Sequence, residues 1–287
     1  MNLLVIGASG LVGQNVYKIA QDAGHSVTGT FRSDSNFGDV KLDKTNRDRV
    51  ESLIQDKQPD AIIDTAAFHD VDACEKQRSL AWEINVNGTW NVAQAADSVN
   101  AHLIYLSSDY VFRGDPNEAP YSEDAAVSPL NYYGQCKYAA EQAVKVAETS
   151  TIIRPSVIYG NGSTNFATWA INQLRSNNEI SIVEDQVSTP TYAPDLARIC
   201  IQMVIDRIAG LYHASGPTQL SRYKFTCLIA KKFNLNTDLV RPVKTENFDQ
   251  DATRPKNSSL DSTNLYNEIG YQISPPSKGI EMMVEMS

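Results

Sequence analysis

The apolar strand Leu3-Leu4-Val5-Ile6 runs directly into Gly7-Ala8-Ser9-Gly10-Leu11-Val12-Gly13, and then into a helical repeat of Val12, Val16, Ile19, Ala20 and Ala23 that closes at Gly24. A strand, a glycine turn and an amphipathic helix in this order leave few folds open. Gly7 permits the tight turn, Gly10 lets the backbone approach a pyrophosphate, and Gly13 lets the helix pack on the strand, with the phosphates at the helix amino end. The spacing is G-x-x-G-x-x-G rather than G-x-G-x-x-G, and an ordinary strand-to-helix turn can look the same. In this setting the segment points to a dinucleotide, with Gly7, Ser9, Gly10, Leu11, Val12 and Gly13 as its contacts.

The rest of the chain alternates strand and helix signals. Predicted strands cover 2–6, 26–31, 39–42, 61–65, 102–107, 151–154 and 210–213; predicted helices cover 11–23, 46–57, 73–98, 131–147, 164–176, 194–208 and 221–233. Such alternation specifies an α/β fold, a doubly wound parallel sheet of the Rossmann type. The polar segment from Asp115 to Pro129 reads as a loop beside the active site. Past Arg154 the pattern becomes irregular, as expected of a smaller carboxyl-terminal substrate lobe built over the strand ends. With 287 residues, 42% of them hydrophobic, the chain can bury a full core and has the length of about two domains.

Tyr133 and Lys137 lie four positions apart, so a helix puts a phenol and an ammonium on one face. A nearby ammonium favours the phenolate and would lower the Tyr133 pKa toward neutrality, which suits proton transfer; a Lys snorkelling over an aromatic ring has the same spacing. The buried-type strand from Leu103 ends in Ser107-Ser108-Asp109-Tyr110, delivering two hydroxyls where open parallel sheets place their ligands. Either serine could instead cap the next turn.

Together these features resemble the extended branch of the short-chain dehydrogenase/reductase superfamily. Further segments resemble the dTDP-4-dehydrorhamnose reductase family from residue 1 to about residue 270. They are Gln58-Pro59-Asp60, Ala66-Ala67, Val71-Asp72, Ser107 to Phe112, Pro190-Thr191 with Asp195-Leu196-Ala197, and Arg254-Pro255-Lys256-Asn257-Ser258-Ser259-Leu260-Asp261. That family includes the regulatory beta subunit of methionine adenosyltransferase, which keeps the fold and the nicotinamide cofactor but acts as a partner protein. The resemblance implies NADPH-dependent reduction of the 4-keto group of a nucleotide-activated 6-deoxyhexose, in deoxysugar or polysaccharide biosynthesis. The regulatory subunit and a nucleotide-sugar 4-epimerase are the alternatives. It also implies a division into residues 1–160 plus about 182–214 for the cofactor and about 161–181 plus 215–287 for the substrate. A homodimer is compatible with it.

Cofactor choice turns on the end of the second strand, where Arg32 and Ser33 would pair with a 2′-phosphate and favour NADPH over NADH, against Asp34 as the competing acid. Asp43 lies near the adenine in relatives, or caps the following helix. Ala66 and Ala67 complete the cofactor contacts. In the implied mechanism Tyr133 supplies the proton, Ser108 hydrogen-bonds the carbonyl oxygen, and Lys137 holds the nicotinamide ribose. Asn85 matches a proton-relay position or is a helix cap. His69, Asp109, Tyr110, Arg254 and Asn257 are the candidate substrate contacts. Arg254 has the charge for a diphosphate, while plain packing is the simpler role for His69.

Departures narrow this. Asp64-Thr65 stands where relatives often have Asn-Ala, and Val157 stands where the dTDP-sugar reductases often carry a Trp against the base, so the carrier nucleotide stays open. Asp109-Tyr110 lacks the Asp-Glu pair of the 4,6-dehydratases, which argues against dehydration.

A net charge of −9 argues against a nucleic-acid partner or an anionic membrane surface, so any phosphate site must be built from a few arginines and backbone amides. No apolar run is long enough to span a bilayer, and the amino terminus starts in a strand without a secretory signal; the expectation is a cytoplasmic protein. Cys74, Cys136, Cys200 and Cys227 lack C-x-x-C spacing, so neither zinc nor a disulfide framework is expected and all four read as small buried hydrophobes.

Overall fold

In a computed structural model of the chain, residues 1–33 and 37–286 are described. The first half runs β1 (Asn2–Ile6), α1 (Leu11–Asp22), β2 (Ser26–Phe31), β3 (Val40–Lys41), α2 (Arg47–Lys57), β4 (Ala61–Asp64), α3 (Val71–Lys76), α4 (Arg78–Trp82), α5 (Gly88–Ser98), β5 (His102–Leu106), α6 (Tyr132–Val144) and β6 (Ser150–Arg154). The second half adds β7 (Ile158–Tyr159), α7 (Phe166–Arg175), β8 (Ile180–Val183), β9 (Val187–Ser188), β10 (Thr191–Tyr192), α8 (Ala193–Ile205), β11 (Gly210–His213), β12 (Leu220–Ser221), α9 (Arg222–Lys232), β13 (Val240–Val243), α10 (Thr263–Ile269) and α11 (Pro276–Glu285).

Seven parallel strands form the central sheet in the order β11-β6-β5-β4-β1-β2-β3. The order reverses at β1, so the crevice at the carboxyl ends of β1 and β4 is the switch point at which such sheets bind ligands. Both faces are covered, which is why the strands read as continuous apolar runs. Leu3, Val5, Ile63 and Ile104 pack against α1 and α8 on one side, and Leu4, Ile6, Ile62 and Leu103 against α2, α5 and α6 on the other. Gly13 lets α1 enter its layer at close range: a Cβ there would meet the Gly7 carbonyl oxygen at 2.2 Å.

The second lobe is built around α7, α9 and α11 with the short parallel pair β8/β13. Between its segments, α8 and β11 return to the large sheet, and Leu265 of α10 joins the core under α1 and α8. The short pairs β7/β10, β8/β13 and β9/β12 are absent from the sequence reading, because strands of two to four residues carry too few positions to show a period. No helix among the described residues is long and apolar enough to cross a membrane.

Three expectations need correction. The helix predicted over 73–98 is broken at Gln77 and widened into a π-turn at Glu83–Asn87. The widened turn carries Asn85, whose amide donates to the Phe68 carbonyl and accepts from the Phe68 N–H, so Asn85 pins the loop after β4 and caps no helix. No residue of the segment 115–129 lines the cleft, and only its Pro129 end comes close, against Gly134 at the start of α6. Tyr121 stacks on Phe112 at 4.4 Å and exchanges backbone hydrogen bonds with Ser259 and Asp261, which ties the middle of the loop to the carboxyl-terminal segment. Cys227 is only partly buried, unlike the other three cysteines.

Two histidines buried within the sheet make its stability depend on pH. Burial lowers the His102 pKa to about 4, and burial with the nearby Arg154 charge lowers that of His213 to about 3. The unfolded chain takes up protons near pH 6.5 that these two sites refuse, so stability falls as pH drops from 6.5 toward 4, by about 1.4 kcal/mol per pH unit for each fully titrating histidine. Urea midpoints measured at pH 7, 6 and 5 should fall steadily, and His102→Asn should flatten the slope; a constant midpoint would contradict the burial argument.

Candidate functional site

A cleft of about 1390 Å³ opens over the carboxyl ends of β1, β4 and β5 and continues between the lobes. Its cofactor side is a helix amino terminus. Gly10 caps α1 without a side-chain hydrogen bond, and the first turn of α1 holds no acid, so its N–H groups face the cleft unneutralised. That arrangement fits a pyrophosphate. Gly7, Ser9, Leu11 and Val12 line the same wall with Arg32, Ser33, Asp43, Ala66 and Ala67. Gly13 lies behind it. Arg32 and Ser33 are exposed, and Asp34 lies outside the described residues. Asp43 does not cap α2: Asn46 does, while Asp43 accepts from the Thr45 backbone and hydroxyl at 3.0 and 2.9 Å.

Lys44 was missed by the sequence reading. Its ammonium is buried and donates to Asp64 at 2.8 Å, to the Ala66 carbonyl at 2.7 Å and to Thr89 at 3.1 Å. The Asp64 that departs from relatives is therefore the partner of a buried cation, and together they hold the Ala66 loop. No local pattern signals this pair, because its members lie on different elements.

The reacting groups come from β5 and α6. Asn131 caps α6 by accepting from Gly134 at 2.9 Å, and a Cβ on Gly134 would meet the Tyr110 carbonyl oxygen at 2.2 Å, so glycine allows the start of α6 to lie against the loop after β5. Ser107 points inward, donating to Glu141 at 2.5 Å. Ser108 faces the cleft and shares a hydrogen bond with Tyr133. Tyr110 packs edge-on against the Tyr133 ring at 6.0 Å.

The expected coupling of Lys137 to Tyr133 is corrected here. Lys137 donates to the Leu106 carbonyl at 2.6 Å and to the Tyr105 hydroxyl at 3.2 Å, with its ammonium 4.7 Å from the Tyr105 ring centre. Burial, reinforced by the Lys44 charge, lowers its pKa to about 7. Burial pushes the Tyr133 phenol well above its usual value, and the Ser108 hydrogen bond offsets only part of that. Helical spacing aligned the two residues, but the low-dielectric floor of the cleft weighs more than their proximity.

The candidate substrate residues divide. His69 is exposed at the cleft wall, so packing is not its role. Asp109 is buried, accepting from Ser258 at 2.5 Å, Ser156 at 2.7 Å and Ser108 at 3.1 Å; burial raises its pKa despite those bonds. Arg254 lines the cleft, but both terminal nitrogens are held by Asp72 at 2.7 and 2.8 Å. Asn257 lies outside the cleft lining and caps its own turn by accepting from Ser259. Asp109, Arg254 and Ser258 thus form a polar seam between the lobes.

A model of the RmlD substrate binding domain family matches residues 1–287. The chain is 36% identical over 272 residues to methionine adenosyltransferase 2 subunit beta of Xenopus tropicalis, covering 91% of this chain and 80% of that one. It is 33% identical over 284 residues to a dTDP-4-dehydrorhamnose reductase of Aggregatibacter actinomycetemcomitans, covering 95% and 94%. The crystal structure of a dTDP-4-dehydrorhamnose reductase from Bacillus anthracis in complex with NADP matches with a TM-score of 0.92 at 33% identity, covering 100% of this chain and 99% of that one.

The buried phenol yields a direct expectation. In NMR spectra of tyrosine-labelled protein without ligands, the signal lost in Tyr133→Phe should show no ionisation up to pH 10. Titration of that signal near neutrality would mean Lys137 does reach the phenol.

Proposed function

The chain belongs to the RmlD substrate binding domain family, and on that basis we propose that it is an NADPH-dependent reductase of the 4-keto group of a nucleotide-linked 6-deoxy sugar. The observation that carries this reading is the convergence, in one cleft, of Ser108, Tyr133 and Lys137 with an acid-free helix amino terminus whose Gly10 cap has no side chain to bond its N–H groups. NADPH, when bound, supplies the hydride, with NADH as the second candidate. Gly7, Ser9, Gly10, Leu11 and Val12 would hold its pyrophosphate, Arg32 and Ser33 its 2′-phosphate, and Asp43, Ala66 and Ala67 its adenosine end.

The chain's own groups manage the proton. A phenol that resists ionisation is a poor base but a competent acid once negative charge grows on the ketone oxygen, and Tyr133 donates to that oxygen as it forms. Ser108 would turn its hydroxyl proton from Asp109 to the same atom, a contact that strengthens with its charge. Lys137, bonded to the Leu106 carbonyl and the Tyr105 hydroxyl at the floor of the cleft, would hold the nicotinamide ribose. Residues 1–160 with about 182–214 serve the cofactor, and about 161–181 with 215–287 serve the sugar nucleotide. His69, Tyr110 and Arg254 would border the substrate, while Asp109 and Asn257 act at one remove by shaping the seam.

Incubation with NADPH and a panel of nucleotide-linked 4-keto-6-deoxy sugars tests the reaction directly: net cofactor oxidation supports reduction, whereas isomerised sugar without net oxidation would make the chain an epimerase. The second reading, a regulatory subunit, is favoured by the 36% identity to methionine adenosyltransferase 2 subunit beta. A stable complex with the synthetase and no cofactor oxidation would establish it instead.

Two variants probe the roles. Tyr133→Phe should remove most turnover and leave NADPH affinity nearly unchanged; stopped-flow hydride transfer at the wild-type rate would sink the assignment. Arg32→Ala should weaken NADPH by about 1.5–3 kcal/mol and barely affect NADH, since the lost bond is to a charged phosphate. Equal losses for the two cofactors in a fluorescence titration would remove Arg32 from the 2′-phosphate.

A further inference from the structure

Arg254, whose charge suits a diphosphate, has that charge neutralised by Asp72 in a two-pronged pair. The substrate half of the cleft contains another guanidinium. Arg222, the first residue of α9, lines the cleft and makes no ion pair or side-chain hydrogen bond among the described residues. No acid stands in the first turn of α9 to neutralise it. Asp109 feels its charge, but the oxygens of Asp109 are occupied by three serine hydroxyls. The guanidinium lies 5.0 Å over the Phe166 ring, and the Arg222 backbone N–H donates to the Gln186 carbonyl.

Phe166 opens α7, and Trp169 follows one turn later with its ring centre 5.8 Å away at an interplanar angle of 34°. Both line the cleft, and Trp169 remains 39% exposed, a large apolar surface left open to solvent. Val157, which lines the same cleft, offers no ring. Its backbone sits at φ 43, a left-handed conformation that a β-branched residue rarely adopts, held by Ser156 and Thr191: Thr191 bonds both the Ser156 N–H and its carbonyl, and donates its own N–H to Val157.

The geometry points to Arg222, Phe166 and Trp169 as the subsite for the nucleoside diphosphate part of the substrate, with the base on Trp169 and the diphosphate on Arg222. This rests on the reading that the substrate is a nucleotide-linked sugar. The charge balance favours it, because a diphosphate brings two negative charges to the cleft and the Arg222 donors are bonded to no acid among the described residues, while those of Arg254 are held by Asp72. The stacked Phe166 below the guanidinium orients the fork without occupying its donors.

Nucleoside diphosphate binding can be read without turnover. Titration of the full chain with dTDP and with UDP should quench tryptophan fluorescence, and Trp169→Leu should abolish the quench, since Trp82 and Trp90 lie outside the cleft lining. Arg222→Gln should weaken the bound diphosphate tenfold or more, about 1.4 kcal/mol, with NADPH affinity intact; Arg222→Lys should recover part of the loss. Inorganic pyrophosphate should compete with dTDP in the wild type and lose that competition in Arg222→Gln. Unchanged dTDP and UDP affinity in Arg222→Gln, or a quench that survives Trp169→Leu, overturns the subsite. NADPH oxidation on a sugar nucleotide with neither effect would leave the reductase standing and this inference refuted. A Trp169-dependent quench without any oxidation would do the reverse.

Discussion

The ion pair between Glu141 and Arg154 is the contact on which the placement of the site depends. Arg154 bonds both carboxylate oxygens, at 2.8 and 2.7 Å, and both side chains are almost wholly buried. Removing one partner of such a pair commonly costs about 3–5 kcal/mol, because the other charge is left without water or counterion. The pair matters for where it lies. Glu141 stands one turn beyond Lys137 on α6, Arg154 ends β6, and Ser107 of the β5 end donates into the same carboxylate. It therefore sets α6, with Tyr133 and Lys137, against the strand ends that carry Ser108.

From that bolt the contacts run outward to the second lobe. The Arg154 guanidinium covers the Phe112 ring at 5.1 Å, Phe112 stacks on Tyr121, and Tyr121 is bonded through its backbone to the segment at Ser259 and Asp261. The same carboxyl-terminal segment reaches the cleft through Ser258 on Asp109 and Arg254 on Asp72. Polar bonds make this seam, where an apolar interface would have served stability as well, and directional bonds specify one relative setting of the walls.

Electrostatics in the floor follow from the same layout. Asp64 and Tyr105 are register partners on β4 and β5, so the Lys44 and Lys137 ammoniums that bind them are brought beside each other beneath the cleft. Lys44 has Asp64 as its partner; Lys137 has only neutral acceptors, and burial beside the Lys44 charge lowers its pKa to about 7. A group poised near neutrality in this position responds readily to whatever charge a ligand adds.

Much of the fold was legible along the chain because its signals are local. The glycine turn after β1, the apolar strands and the 3.6-residue repeats of α1, α6 and α8 each depend on neighbours within a few positions, and β1, β2, β11 and α1 fall within a residue of where the pattern puts them. The same holds for the cleft wall from Gly7 to Val12 and for the presence of Ser108, Tyr133 and Lys137 at strand end and helix start. Which polar groups face a ligand and which face one another was settled at long range. Asp72 finds Arg254 across 182 positions and Asp109 finds Ser258 across 149, and a hydrogen-bond donor carries no mark in the sequence of the acceptor it will meet. Lys137 shares a helical face with Tyr133 yet binds Tyr105, since a buried ammonium goes where a carbonyl and a hydroxyl already wait. Lys44 and Arg222 look alike as isolated basic residues in the chain; packing buries one on a carboxylate and leaves the other open on an aromatic ring.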